Sequence, residues 1–251
     1  MIISKSVLKT LSFPWGLRVF LAAVLFGGAV FADESIATLK VANIFSNRCV
    51  LQRDMPLPGW GRAQAGAKVD VELAGQSSSG IVDANGKWQV TLPPLPPGGP
   101  HRMRISSGSE SVEVTDILIG EVWLGVGQSN MMMGLGSSEG GEQAIGRIKN
   151  YPNFRFAAAA AQNSETPAAD LKSISWTAPN SGMSAVSFYF AEALYNHFKG
   201  SVPVGIINLT VIAPAEAWAD AERLKSVPAL EKLAGQKIYP NLSGQVFNGS
   251  I

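Results

Sequence analysis

The hydrophobic pattern of this chain changes period near residue 116, and that change constrains the fold more than any other feature. Before it, apolar residues alternate: Val69, Val71 and Leu73 in "KVDVELAG", then Trp88, Val90 and Leu92 in "KWQVTL". A period of two marks strands with one face buried and one face wet. Between the two runs Asp83, Ala84, Asn85 and Gly86 supply turn chemistry, and Pro93 to Pro100 form a proline- and glycine-rich connection. "HRMRIS" and "ESVEVTDILIG" add two more strand-like runs. Short strands at this spacing, without a long helical pattern, predict a small antiparallel β-sandwich over residues 33–115.

Past Ile117 the texture differs. "DILIGEVWLGVG" is apolar on successive residues, as a parallel strand buried on both faces would be. "NFRFAAAA" and "VPVGIINLTVI" read the same way, and "EGGEQAIGRIKN" fits a short helix. In "MSAVSFYFAEALYNHFKG" the residues Val186, Tyr189, Phe190, Ala193 and Leu194 recur at helical spacing, with Ser184 placed to cap the helix and Gly200 to end it. Strands alternating with helices predict an α/β/α domain with a parallel sheet over residues 116–251. Three strands are few for an open sheet, so the domain is expected to be incomplete at Ile251.

Residues 1–32 belong to neither pattern. Lys5, Lys9 and Arg18 precede the apolar run "VFLAAVLFGGAVFA", and Ala32 stands before the acidic "DES". A basic start, an apolar core of about 14 residues and a small residue at its end predict a signal peptide and an exported protein. Spanning a bilayer takes about 20 apolar residues, so no membrane contact is expected unless the run is kept as an anchor. The formal net charge of +1, with both signs interspersed, argues against nucleic acid as a partner. The single cysteine, Cys49, excludes an intrachain disulfide framework. Oligomeric state is not legible.

The chemistry-bearing stretch is "GEVWLGVGQSNMMMGLG", where a hydrophobic run gives way to Gln128, Ser129 and Asn130. A serine where a parallel strand ends lies at the carboxyl edge of the sheet, where crevices of open α/β folds form. Gly127 relieves crowding in such a turn, and backbone N–H groups just after it can point at a developing oxyanion. The pattern is not the glycine-bracketed nucleophile elbow, because its fifth position is Met131. A serine leaving a strand is also a common turn residue, and the base it would need is hard to find. His101 reads as a loop residue at a strand mouth, and His197 as a cation near a helix end, where the dipole favours it. Glu216, in "PAEAWAD", is a loop carboxylate that could serve the site or order the loop. Met131, Met132 and Met133 suit a core or a pocket wall. Metal-ligand spacing and a phosphate-cradling loop are absent, and no cofactor is expected.

Taken together, these segments resemble the sialate O-acetylesterase family of the SGNH hydrolases. The resemblance runs in order through "VANIFSNRCVLQRDMPLPGWGRAQAGAKVDVELAG", "DANGKWQVTLPPLPPGG", "GEVWLGVGQSNM", "MSAVSFYFAEAL", "VPVGIINLTVIAPAEAW" and "FNGSI". It implies a β-sandwich followed by an SGNH-type domain, represented by its amino-terminal part, and an acetylated carbohydrate as substrate. Ser129 matches the family's nucleophile, with Gly127, Gln128 and Asn130 shaping the turn and the Ser129 N–H acting as an oxyanion donor. The family's tryptophan–glycine–glycine step is replaced here by Val211, Ile212, Ala213 and Pro214, so Ile212 or Ala213 would have to present the second donor without glycine's torsional freedom. The family's aspartate–histidine pair is expected beyond "FNGSI". The resemblance therefore implies an esterase that is incomplete in this chain. The competing reading is a non-catalytic exported protein, glycan-binding or structural, that keeps part of the fold.

Overall fold

The computed structural model describes residues 38–159, 170–210, 225–229 and 231. The expected signal peptide, Ile212, Ala213 and Glu216 lie outside these residues. Eleven strands are present among them: β1 (Lys40–Val41), β2 (Val50–Gln52), β3 (Leu57–Arg62), β4 (Lys68–Leu73), β5 (Gln76–Ile81), β6 (Lys87–Leu92), β7 (Gly98–Ser107), β8 (Glu110–Gly127), β9 (Phe154–Ala159), β10 (Ile174–Thr177) and β11 (Val204–Thr210). The α-helices are α1 (Ser129–Met132), α2 (Gly141–Arg147) and α3 (Ala185–His197).

The amino-terminal half is a sandwich. Its smaller sheet is antiparallel, in the order β1-β3-β6. It faces β5, β4, β7 and the first part of β8, and the alternating residues of the two inner faces form one core. Val69, Val71, Leu73, Trp88, Val90, Leu92, Met103, Ile105 and Val114 are all buried there. The Asp83 turn closes as its composition demands. The carboxylate accepts the backbone N–H groups of Asn85 and Lys87, both at 2.8 Å, and Gly86 takes the left-handed φ of 73°. These two bonds, the one from Lys87 first, hold the Asp83 carboxyl below its ordinary range.

Strand β8 does not stop where the sandwich ends. It runs unbroken through residues 115 and 116, pairs antiparallel with β7 in its first half, and pairs parallel with β11 from Glu121 to Gly127. The larger sheet therefore has the order β10-β9-β11-β8-β7-β4-β5, with β2 parallel to β8 at Leu118–Gly120. The parallel segment is β9, β11 and the end of β8, and β10 closes its outer edge antiparallel to β9. The fold is thus α/β with a mixed sheet, following an antiparallel sandwich. The short β10 has no counterpart in the sequence reading.

Among the described residues the helices pack on one face of the parallel segment. Phe154, Phe156, Val204 and Ile206 of the sheet meet Ala144, Phe188, Ala191 and Tyr195 of the helices. On the other face Gly205 lets the sheet approach β2, since a Cβ there would lie 2.7 Å from Val50 Cβ. Two expectations change here. Helix α3 exists with Ser184 as its cap, but it buries Ala185, Ser187, Phe188, Ala191 and Tyr195, while Val186 and Phe190 are exposed. Strand β8 is buried on both faces only around Ile117–Gly120. Trp123 and Leu124, on opposite faces of the strand, are 45% and 50% exposed.

Candidate active site

The three parallel strands end side by side, with Gly127 opposite Thr210 and Leu209 opposite Ala159. Ser129 follows at the carboxyl edge of β8 as the first residue of α1. The turn is closed by Met132 N–H donating to the Gln128 carbonyl at 3.1 Å and Met133 N–H to Asn130 at 3.4 Å. Gln128, Ser129 and Asn130 are all exposed, and the Ser129 hydroxyl has no hydrogen-bond partner among the described residues. At a helix start the first N–H groups have no intrahelical acceptor, so those opening α1 are free to meet an anion. Gly127 has an ordinary φ; its small size matters because a Cβ would lie 3.0 Å from Met131 Cβ.

The turn rests on a buried polar cluster. Ser184 Oγ and Ser187 Oγ both point at Met131 Sδ, at 3.2 and 3.5 Å, and Ser187 Oγ also reaches Asn208 Oδ1 at 2.8 Å. Asn208 sits on β11 opposite Gly125, only 7% exposed. A Cβ on Gly125 would stand 2.9 Å from Ser187 Oγ and 3.1 Å from Asn208 Oδ1. Strand, turn and helix are therefore locked two residues beyond Ser129. Sequence reasoning missed Ser187 and Asn208; the signal was a polar residue inside an apolar strand, in "GIINLT". Met131 is half-buried against this cluster, whereas Met132 and Met133 are 51% and 43% exposed and are not core residues.

Beside the cluster, Trp123, Leu124, Met131, Val186, Phe190 and Ile206 line an apolar hollow of about 280 Å³. Trp123 and Phe190 meet edge to face across it, with ring centroids 5.1 Å apart.

Neither histidine reaches Ser129. His101 lies within β7 rather than in a loop, paired with Ile117, ten residues before Gly127. At about 3.3 Å per residue that is roughly 33 Å from the turn. His197 ends α3, ten residues past Ser187, or about 15 Å along the helix axis. No group of three metal-ligating side chains occurs among the described residues.

Ser129 therefore opens a turn at the carboxyl edge of a parallel segment, on an α/β unit that shares strand β8 with a β-sandwich. The comparisons with known proteins add to this. No protein-family model matches the chain. Over 211 residues it is 29% identical to sialate O-acetylesterase of Rattus norvegicus, covering 74% of this chain and 38% of the relative. The human sialate O-acetylesterase is 29% identical over 222 residues, covering 78% of this chain and 42% of the relative. A solved carbohydrate acetylesterase from Xanthomonas citri superposes with a TM-score of 0.71 at 30% identity, over 84% of this chain and 47% of that one. The chain is thus similar to the sialate O-acetylesterase family over most of its own length, and it spans about two-fifths of the length of the curated relatives it matches.

Proposed function

We propose that this chain carries the nucleophile segment of a serine esterase acting on O-acetylated carbohydrates. The observation that carries the reading is the exposed Ser129 opening α1 at the carboxyl edge of β8, held by the Met131–Ser187–Asn208 cluster. Ser129 Oγ attacks the acetyl carbonyl, and the charge that develops on the carbonyl oxygen is met by the N–H groups at the start of α1. The proton of Ser129 goes to a base outside the described residues, since His101 and His197 are both too distant. Ile212 and Ala213, which lie outside the described residues and follow β11 in sequence, are the proposed second oxyanion donors. The basic and apolar segment 1–32 supports export, so the substrate is a glycan met outside the cytoplasm.

The competing reading is a non-catalytic glycan-binding or structural protein, favoured by the distance of both histidines from Ser129. Hydrolysis of a chromogenic acetyl ester by the full chain, beside Ser129→Ala, separates the two. The esterase reading expects turnover that falls by at least about 10³-fold in the variant. Turnover equal in both, or none from a folded sample, would leave the non-catalytic reading.

A further inference from the structure

We infer that the outer face of the β1-β3-β6 sheet is a binding site for an acidic oligosaccharide, separate from the Ser129 turn. The register places Lys40 opposite Arg62 and Arg62 opposite Lys87, so three cations form one row across three strands. Like charges directly opposite one another destabilise a sheet, and such a row calls for an anion to offset it. None of the three makes a contact ion pair with a described carboxylate, Asp83 offsets Lys87 only through space, and all three side chains are exposed.

The next row on the same face is Trp60 opposite Gln89. Trp60 is half-buried, and its ring is fixed edge to face against Phe45 with centroids 4.6 Å apart. It offers a rigid apolar surface beside the cations and an exposed amide. These residues line a cleft of about 710 Å³, the volume of a binding site for several sugar rings rather than a single ion. The two carboxylates of the lining are already engaged by backbone. Asp83 accepts from Asn85 and Lys87, and Asp170 accepts from the N–H groups of Asn43 at 3.0 Å and Leu171 at 2.8 Å. The lining carries three cations against two carboxylates, Arg62 reaches only the Asn85 carbonyl at 3.5 Å among the described residues, and a ligand carboxylate matches its guanidinium in a two-pronged geometry. An aromatic plane beside fixed cations suits a chain of sugars that carry carboxylates.

The test is calorimetric titration of the full chain with trigalacturonate and with neutral cellotriose, at low and at 0.5 M salt. The expected result is binding of the acidic trimer at least tenfold tighter than the neutral one, weakening with salt. Arg62→Gln should weaken the acidic trimer at least tenfold while the melting temperature holds or rises, because the variant relieves the repulsion along the row. Trp60→Ala should weaken it too, and Ser129→Ala should bind like the parent, which keeps this result apart from the fate of the esterase reading. Equal binding of the two trimers, no binding of either, or an affinity indifferent to Arg62→Gln would overturn the proposal.

Discussion

At the scale of the residue, two groups have their chemistry set by surroundings that the sequence does not display. Partial burial alone would raise the Glu192 carboxyl. The bidentate bond from Arg147, at 3.0 and 3.2 Å, and the hydroxyl of Tyr151, at 2.6 Å, outweigh that and hold it below its ordinary range. A depressed carboxyl contributes stability that is complete above its unfolded pKa and is lost as pH falls through the folded value. The loss therefore begins near pH 4.5 and continues below it. Glu192→Gln should cost about 1.5–3 kcal/mol at neutral pH and flatten the acid limb of stability, measured by urea denaturation at several pH values. Cys49 is fully buried, and that burial pushes its thiol up to about 12. A thiol-specific chromogenic disulfide should leave the native chain unlabelled and label one cysteine once the chain is unfolded in urea. Neither outcome follows from Cys49 or Glu192 read in sequence, since both depend on partners or burial supplied from elsewhere in the chain.

At the scale of the element, period-two alternation located β4 and β6 because one face of each is wet and the other sits in the sandwich core. Apolar runs located β8, β9 and β11 for the complementary reason. What the sequence hides is which apolar stripe of α3 meets the sheet. Val186, Phe190 and Ala193 lie at helical spacing as plausibly as Ala185, Phe188, Ala191 and Tyr195, and only the position of β9 and β11 decides. Phe188 is fully buried, whereas Phe190 is 42% exposed and touches Trp123 at its edge. Phe188→Ala should therefore cost about 3–5 kcal/mol. Phe190→Ala should cost about 0.5–1.5 kcal/mol, the worth of an aromatic pair. Equilibrium urea curves of the two variants give the comparison directly. In the candidate site the same logic holds: the Ser129 turn was legible as a strand ending in polar residues, but its support by Ser187 and Asn208 was not. Gly125→Ala should force Ser187 and Asn208 apart at a cost of about 1–3 kcal/mol, read in the same assay, and should loosen the turn above them.

At the scale of the whole molecule, the sandwich and the α/β part are joined by a strand rather than by a linker. Trp60 and Trp88 report on the sandwich, Trp123 on the α/β part, and Trp176, buried against the sandwich core with its indole N–H on the Ile44 carbonyl, on their junction, so tryptophan fluorescence samples both at once. Unfolding should give one transition, coincident by fluorescence and far-ultraviolet circular dichroism, because neither part can release β8 alone. The same strand also imposes an order on biosynthesis. Its first half finds β7 as soon as it is made, but its last seven residues must wait for β11, whose Val204 pairs with Glu121. At 5–20 residues per second the ribosome needs roughly 4–17 s to bridge that gap. For that interval a growing chain displays Trp123 and Leu124 on an unpaired strand end, a natural handle for the chaperones that attend nascent proteins.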